Sequence, residues 1–152
     1  MLLTTVCYIE KDGKYLMLHR TKKNNDINQG KWIGVGGKIE EGESPEECVI
    51  REVKEETGLT LKNYTLRGLI TYNFEENESE YMYIFTSNGF EGELTECQEG
   101  ELAWIEKEKI TTLNLWEGDK VFLEKIKNKS NFFTMKMKYN GDTLLECKVE
   151  EY

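Results

Sequence analysis

Glu52, Glu55 and Glu56 have the residue type and the spacing needed to bind a metal ion together. They fall at positions i, i+3 and i+4 of a predicted helix, so their carboxylates project from one helical face. Like charges at this spacing disfavour a helix by about 0.2–0.5 kcal/mol per pair, a cost that a bound cation removes. Carboxylate oxygens suit Mg²⁺ or Mn²⁺, which also accept phosphate oxygens as ligands. The alternative interpretation is a solvated acidic face of a surface helix.

The three glutamates belong to a longer pattern that starts at Gly37 and ends at Leu59. The segment reads GKIEEGESPEECVIREVKEETGL and fits G-x5-E-x7-R-E-U-x-E-E-x-G-U, where U is apolar. Seven fixed identities at an average residue frequency of about 6% would coincide by chance in roughly one of 10⁸ to 10⁹ windows. The pattern therefore favours a functional site over a chance cluster of charges.

The helix that carries the glutamates has predicted ends and a predicted buried face. The residues SPEE at 44–47 form an N-cap, a proline at the first helical position and a capping box, and Gly58 is a typical stop. Arg51 is expected to pair with Glu43 or a neighbouring carboxylate and so to hold the preceding loop against the helix. The apolar stripe that would pack against a sheet consists of Cys48, Val49 and Val53.

Short apolar stretches elsewhere in the chain predict the strands of this sheet. Residues 6–9 and 15–19 flank Asp12-Gly13 and are predicted to pair as a hairpin. The polar loop 21–31 and the glycines of 32–37 are the first place where backbone could approach a ligand closely. Further predicted elements are strands at 64–74, 81–86 and 101–105, a helix at 117–127 and a terminal hairpin at Asn140-Gly141. Together they predict an α/β fold, a mixed sheet with helices on its faces, in one domain of residues 1–152.

Charge and composition exclude several classes of protein. A formal net charge of -9 repels duplex nucleic acid, and no dense run of Lys or Arg offsets it. A small polyphosphate remains a suitable partner, because divalent cations can bridge carboxylates and phosphate oxygens. Polar residues interrupt the beginning of the chain, and no run of about 18 apolar residues occurs. We therefore expect no signal peptide, no membrane partner and a cytoplasmic location.

The cysteines and the single histidine argue against other catalytic chemistries. The cysteines are widely spaced and form no C-x-x-C pair, so we expect reduced and mostly buried thiols rather than zinc ligands. His19 ends an apolar run and is expected to be structural, and one histidine makes a Ser-His-Asp or Cys-His mechanism unfavourable. No pattern in the sequence indicates an oligomeric state.

The complete glutamate pattern is the signature of the Nudix hydrolases, and GKWIGVGGKIEEGES resembles the MutT and MutX branch of that family. The similarity extends from the strand at Val6, through WEGD at 116–119, to the terminal hairpin. The resemblance implies an α/β/α sandwich around a mixed central sheet. It also implies a Mg²⁺-dependent hydrolase, with Mn²⁺ as a substitute, that converts 8-oxo-dGTP to its monophosphate and pyrophosphate. Such an enzyme removes a mutagenic precursor of DNA from the nucleotide pool.

The resemblance also assigns roles to the acidic residues. Gly37, Glu52, Glu55 and Glu56 match the metal ligands of the family. Glu99 resembles a late glutamate that adds a metal contact or acts as the base, although it could instead be an ordinary loop carboxylate. Glu55 or Glu56 is the expected base or the group that orients it, and Glu99 is the alternative.

A nucleobase pocket is implied by residues outside the signature. Trp116 and Asp119 resemble a base-reading pair, with an aromatic face for stacking and a carboxylate for the purine edge. Asp119 could instead be a first-turn acid that complements a helix dipole. Ile33 stands where some oxidised-purine enzymes have an asparagine, and it cannot hydrogen-bond a base. The other expected substrate contacts, which could instead belong to the core, are Trp32, Tyr72, Phe74 and Met82.

Two other functions fit the same signature. The first is a Nudix hydrolase of another nucleotide, such as ADP-ribose, a dinucleoside polyphosphate, an ordinary dNTP or a capped RNA end. The second is a catalytically silent domain that senses nucleotides or binds proteins. Loss of a signature glutamate would favour the silent domain, and the sequence has all of them.

Overall fold

The structure is a computed structural model that describes residues 1–22 and 26–152, so residues 23–25 of the loop predicted at 21–31 lie outside it. Its helices are α1 (Pro45–Thr57), α2 (Glu117–Lys127) and a 3₁₀ helix (Lys107–Thr112). Its strands are β1 (Leu2–Lys11), β2 (Lys14–Arg20), β3 (Trp32–Ile33), β4 (Val35–Lys38), β5 (Thr60–Leu61), β6 (Thr65–Phe74), β7 (Glu80–Ser87), β8 (Phe90–Glu91), β9 (Gly100–Glu106), β10 (Phe133–Asn140) and β11 (Thr143–Glu151).

Nine of the described strands form one mixed sheet in the order β11-β10-β6-β7-β1-β2-β3, with β4 beside β1 and β9 beside β2. β1 runs parallel to β7, and β6 runs parallel to β10. Alternate residues of a strand point to opposite faces, and β1 accordingly places Val6 and Tyr8 in one apolar core and Cys7 and Ile9 in another. α2 covers the first core and α1 the second. The predicted fold, a mixed sheet between helices, is confirmed.

The ends of α1 agree with the sequence pattern. The Glu47 backbone N–H donates to Ser44 Oγ at 3.0 Å, and the Ser44 N–H donates to Glu47 Oε1 at 2.9 Å, which completes the capping box. Gly58 ends the helix with a left-handed φ of 82°. A residue with a side chain would be strained at this φ. Its Cβ would also lie within 2.8 Å of the Glu93 carbonyl oxygen. The capping box therefore fixes the start of the helix about two turns before Glu52.

The four cysteines are free thiols, of which Cys7, Cys48 and Cys97 are buried and Cys147 is exposed. Burial raises the pKa of the Cys48 thiol to about 11 and holds it protonated. None of the helices in residues 1–22 and 26–152 has the length and apolar character needed to cross a bilayer.

Candidate active site

A cavity of about 490 Å³ opens between the sheet, α1 and the N-terminal end of α2. This volume is typical of sites for small ligands, which measure roughly 300–1,000 Å³. One group of lining residues, named here the acidic cluster, consists of Glu52, Glu56 and Glu99. A second group, named here the aromatic cluster, consists of Tyr72, Phe74 and Trp116, with Met82 and Asp119 beside it. The cavity thus combines a wall of carboxylates with a wall of aromatic side chains.

The acidic cluster depends on two glycines of β4. The Gly36 backbone N–H donates to Glu56 Oε2 at 3.2 Å, which joins this strand to α1. A Cβ on Gly36 would lie 1.9 Å from the Thr5 carbonyl oxygen, and a Cβ on Gly37 would lie 2.4 Å from the carboxyl carbon of Glu52. Glycine is therefore required at position 36, where the backbone of β4 passes against β1, whereas a side chain at position 37 would displace the Glu52 carboxylate.

The carboxyl groups of the acidic cluster are electrostatically strained. The pKa of Glu56 is raised to about 9, first by burial and then by its contact with Glu99 and the nearby charge of Glu52, while the Gly36 N–H opposes the rise. Burial also raises the pKa of Glu52. A divalent cation would remove this repulsion, and the donor set of hard oxygens fits Mg²⁺ or Mn²⁺. Within residues 1–22 and 26–152, no three acidic, histidine or cysteine side chains already converge as ligands of one ion.

Arg51 occupies the space between the acidic residues of α1. Its Nε and Nη2 donate to the two carboxylate oxygens of Glu43 at 2.7 and 2.9 Å, and its Nη1 donates to Glu52 at 2.8 Å and to Glu55 at 3.2 Å. The guanidinium holds the pKa of Glu43 at about 2. Another bond, from Nη2 to the Lys38 carbonyl oxygen at 3.0 Å, ties α1 to the end of β4. Arg51 thus links the loop, the helix and the strand that surround the carboxylates.

Glu55 is placed apart from the other predicted metal ligands. Its side chain is 59% exposed and contacts Arg51, and it is not among the residues that line the cavity. Glu52, Glu56 and Gly37 do line the cavity, together with Glu99 from a distant part of the chain. The structure therefore brings together four of the five residues predicted to bind metal.

Arg20 is a site residue that the sequence patterns did not indicate. Its Nη1 donates to Glu99 Oε2 at 2.9 Å and its Nε donates to Asp26 Oδ2 at 2.8 Å, and only 10% of its side chain is exposed. Arg20 ends β2, a strand whose residues 15–18 are apolar and buried. A buried arginine needs a carboxylate partner. An arginine directly after an apolar run could therefore have predicted a buried ion pair at this position. Arg20 fixes the position of Glu99 in the cavity wall.

Asp119 is buried at the start of α2, with only 4% of its surface exposed. The Tyr72 hydroxyl donates to Asp119 Oδ1 at 3.0 Å. The pKa of Asp119 is raised to about 7, chiefly by burial and also by the charge of Glu80, while the bond from Tyr72 and the charge of Lys31 oppose the rise. Asp119 can therefore exist in both protonation states near neutral pH.

Trp116 is fixed by contacts with the loop that precedes β3. Its Nε1 donates to Asn28 Oδ1 at 2.7 Å, and the Lys31 ammonium lies 4.8 Å from the centre of its ring. The Phe74 ring packs against it with the centroids 6.0 Å apart and the planes at 62°. Lys31 also lies 3.8 Å from Asp142 in the turn between β10 and β11. Asn28 and Lys31 belong to the loop 21–31 that the sequence marked as a functional candidate, but their contacts with Trp116 span more than 80 residues and were not predicted.

Trp32 lies outside the group of residues that line the cavity. Its indole stacks on the His19 imidazole with the centroids 4.5 Å apart and the planes at 3°. Ile33 and Gly34, which follow it, line the cavity instead. Of the six predicted substrate contacts, the structure therefore brings five to one cavity, and the sixth stacks on the histidine that was predicted to be structural.

Comparison with known proteins identifies the family. The family model for the NUDIX domain matches residues 2–126. The uncharacterized Nudix hydrolase YvcI of Bacillus subtilis is 34% identical over 76% of this chain and 72% of its own length. An oxidized purine nucleoside triphosphate hydrolase of Danio rerio is 31% identical over 98% of this chain and 94% of its own. A MutT protein of Bacillus halodurans superimposes with a TM-score of 0.88, at 29% identity over 99% of this chain and 98% of its own. The chain belongs to the Nudix hydrolase family.

Proposed function

We propose that this protein is a Mg²⁺-dependent nucleoside triphosphate diphosphatase, with 8-oxo-dGTP as its main substrate and Mn²⁺ as a substitute ion. The observation that best supports the proposal is the single cavity that contains both the acidic cluster and the aromatic cluster. A nucleotide has the same division into a polyphosphate and a flat base. Similarity to the Danio rerio hydrolase along 98% of the chain supports the choice of an oxidised purine.

Glu52, Glu56, Glu99 and Gly37 would hold the metal ion, and Glu55 would join them after release from Arg51. When bound, such an ion lowers the pKa of a water molecule and neutralises charge on phosphate oxygens. Glu56 is the proposed proton acceptor, because its carboxyl group lines the cavity and contacts Glu99. Glu99 is the alternative acceptor.

The aromatic cluster would bind the base. Asp119, when ionised, would accept hydrogen bonds from the N1–H and the exocyclic amine of a guanine-type base, next to the ring of Trp116. These donors occur in guanine and in 8-oxoguanine alike, so Asp119 selects the purine type. Ile33 in the cavity wall contributes apolar contact only.

The proposed reaction removes a mutagenic precursor from the nucleotide pool and so protects DNA. This role would place the enzyme in the cytoplasm, where the pool is. We also propose that residues 1–152 form one domain, because β10 and β11, beyond the matched residues 2–126, extend the same sheet beside β6.

The test is a panel of nucleotides with Mg²⁺ in which the monophosphate, orthophosphate and pyrophosphate are measured separately. The panel contains 8-oxo-dGTP, dGTP, dATP, dCTP, ADP-ribose and a dinucleoside polyphosphate. We expect 8-oxo-dGTP to have the highest kcat/KM and to give the monophosphate and pyrophosphate. Orthophosphate as the sole first product, or a preference for ADP-ribose, would contradict the proposal.

A further inference from the structure

β11 is an outer edge of the main sheet and is exposed along most of its length. It pairs with β10 on one side, and within residues 1–22 and 26–152 no strand pairs with its other side. An edge strand presents unpaired N–H and C=O groups that can pair with another chain. Two apolar side chains on this strand are open to water, since Leu145 is 51% exposed and Val149 is 36% exposed. Covering β11 would therefore bury apolar surface and satisfy backbone groups.

The residues of β11 are complementary to a second copy of the same strand. In an antiparallel pair with Cys147 opposite Cys147 of the second copy, Glu146 lies opposite Lys148 and Leu145 lies opposite Val149. Two-fold symmetry repeats each pair, so Glu146 and Lys148, which lie 3.2 Å apart within one strand, also meet the opposite charges of the second copy, and both apolar side chains find partners. This alignment uses every side chain from 145 to 149.

Other symmetric alignments are less favourable. In a strand pair, directly opposed residues have their side chains on the same face of the sheet. A symmetric pair must therefore have its two-fold axis at a single residue, and each other alignment moves this axis to a different residue. An axis at Glu146 places two glutamates opposite each other, and an axis at Lys148 places two lysines opposite each other. Like charges in such positions are destabilising. Charged side chains on an edge strand commonly prevent its association with another chain. On β11, the charges of Glu146 and Lys148 instead favour one alignment, with the axis at Cys147.

We propose that β11 pairs with β11 of a second copy about an axis at Cys147, so that the main sheet continues through a two-fold dimer. The contact is one strand of nine residues, a small interface, so we expect a weak dimer with a Kd of roughly 10–100 µM. The net charge of -9 on each copy opposes association, and physiological salt screens charges beyond about 8 Å. The dimer does not depend on the proposed substrate, because the residues of β11 do not line the cavity.

Sedimentation equilibrium of the full chain, at concentrations from about 5 to 500 µM, tests the dimer. We expect a monomer–dimer equilibrium that Glu146→Lys or Lys148→Glu weakens by about 5-fold to 30-fold in Kd, because each change creates two like-charged pairs. The double variant Glu146→Lys/Lys148→Glu exchanges the charges and should restore the wild-type Kd. Lys11→Glu, a matched charge reversal at the exposed end of β1, four strands from β11, should leave Kd unchanged. Melting temperatures identify any variant that is merely unfolded.

A thiol cross-linker tests the register independently. Cys147 is exposed whereas Cys7, Cys48 and Cys97 are buried. A short bismaleimide should therefore give a covalent dimer joined at Cys147, which Cys147→Ser abolishes. A monomer at every concentration, a dimer unaffected by the charge reversals, or cross-links absent at Cys147 would each overturn the proposal. Nucleotide hydrolysis should be the same in all of these variants, which separates this test from that of the proposed function.

Discussion

The Tyr72 hydroxyl donates a hydrogen bond of 3.0 Å to Asp119 Oδ1 across the buried side of the cavity. The bond joins the sheet to the first turn of α2, and no group in residues 1–22 and 26–152 donates to the other carboxylate oxygen. A buried acid with a tyrosine partner differs from the exposed first-turn acid that a helix dipole alone would favour. The structure therefore supports a binding role for Asp119, which two measurements can test.

The first prediction concerns catalysis by Asp119→Asn. Loss of a charge-assisted hydrogen bond costs about 1.5–3 kcal/mol, so kcat/KM for 8-oxo-dGTP should fall about 10-fold to 150-fold. Slow turnover of dCTP, which lacks the same donors, should change little. Steady-state kinetics on both nucleotides provide the comparison, and Tyr72→Phe is the control for loss of the supporting bond. Unchanged efficiency on 8-oxo-dGTP with a lower melting temperature would assign Asp119 to stability alone.

The second prediction concerns stability against pH. The pKa of Asp119 is about 7 in the folded protein against a usual value of 3.8, so the folded state binds more protons between these values. The free energy of unfolding should therefore fall as pH rises from about 4 to 7, by up to about 4 kcal/mol from this group. Asp119→Asn should be more stable than the wild type at pH 8 and similar to it at pH 4. Urea unfolding in EDTA measures this, and parallel pH profiles for the two proteins would contradict it.

The third prediction concerns the acidic cluster. Glu56→Gln and Glu55→Gln should each lower kcat by roughly 10² to 10⁴, as expected for loss of a metal ligand or a general base. Glu56→Gln should also raise the melting temperature in EDTA, because it removes a carboxyl group held at an unfavourable pKa by burial and by Glu99. Full activity in excess EDTA, or in both variants, would refute the metal cluster.

The fourth prediction concerns Gly37→Ala, which would place a Cβ 2.4 Å from the Glu52 carboxyl carbon. The carboxylate must move, so the Mg²⁺ concentration for half-maximal activity should rise by at least about 10-fold, typical of a perturbed ligand environment. In a Glu52→Gln background the same change should have a smaller effect, because the two residues act on one ligand position. Additive effects in this double-mutant cycle would show that Gly37 acts elsewhere.

Local chemistry explains which parts of the fold were predictable. The capping residues Ser44 and Glu47 and the stop at Gly58 define α1, and Asn140-Gly141 defines the last hairpin, because each signal involves neighbours in sequence. The two-residue strands β5 and β8 and the 3₁₀ helix were not predicted, since such short elements have no periodicity to detect.

In the candidate site, too, the features set by neighbours in sequence were predictable and those set by distant contacts were not. The signature places the glutamates on one helix, but the position of Glu99 depends on Arg20, which is 79 residues away in sequence. Trp32 was predicted to contact substrate from the family resemblance, yet its ring stacks on His19 of the neighbouring strand. Glu55 and Glu56 are adjacent in sequence, but Glu55 is exposed and paired with Arg51, whereas Glu56 is half-buried and bound by the Gly36 N–H. Contacts between distant segments decide these roles.

The guanidinium of Arg51 gives the resting protein a counterion of its own. Its Nη1 contacts both Glu52 and Glu55, so a divalent ion at the proposed site would compete with a tethered cation for the same oxygens. Metal binding would then be an exchange of cations, and its net free energy would be smaller than that of an ion entering a cluster without a competitor. Glu52 and Glu55 would supply ligand oxygens to the proposed ion, and Arg51 would pair with them again in its absence.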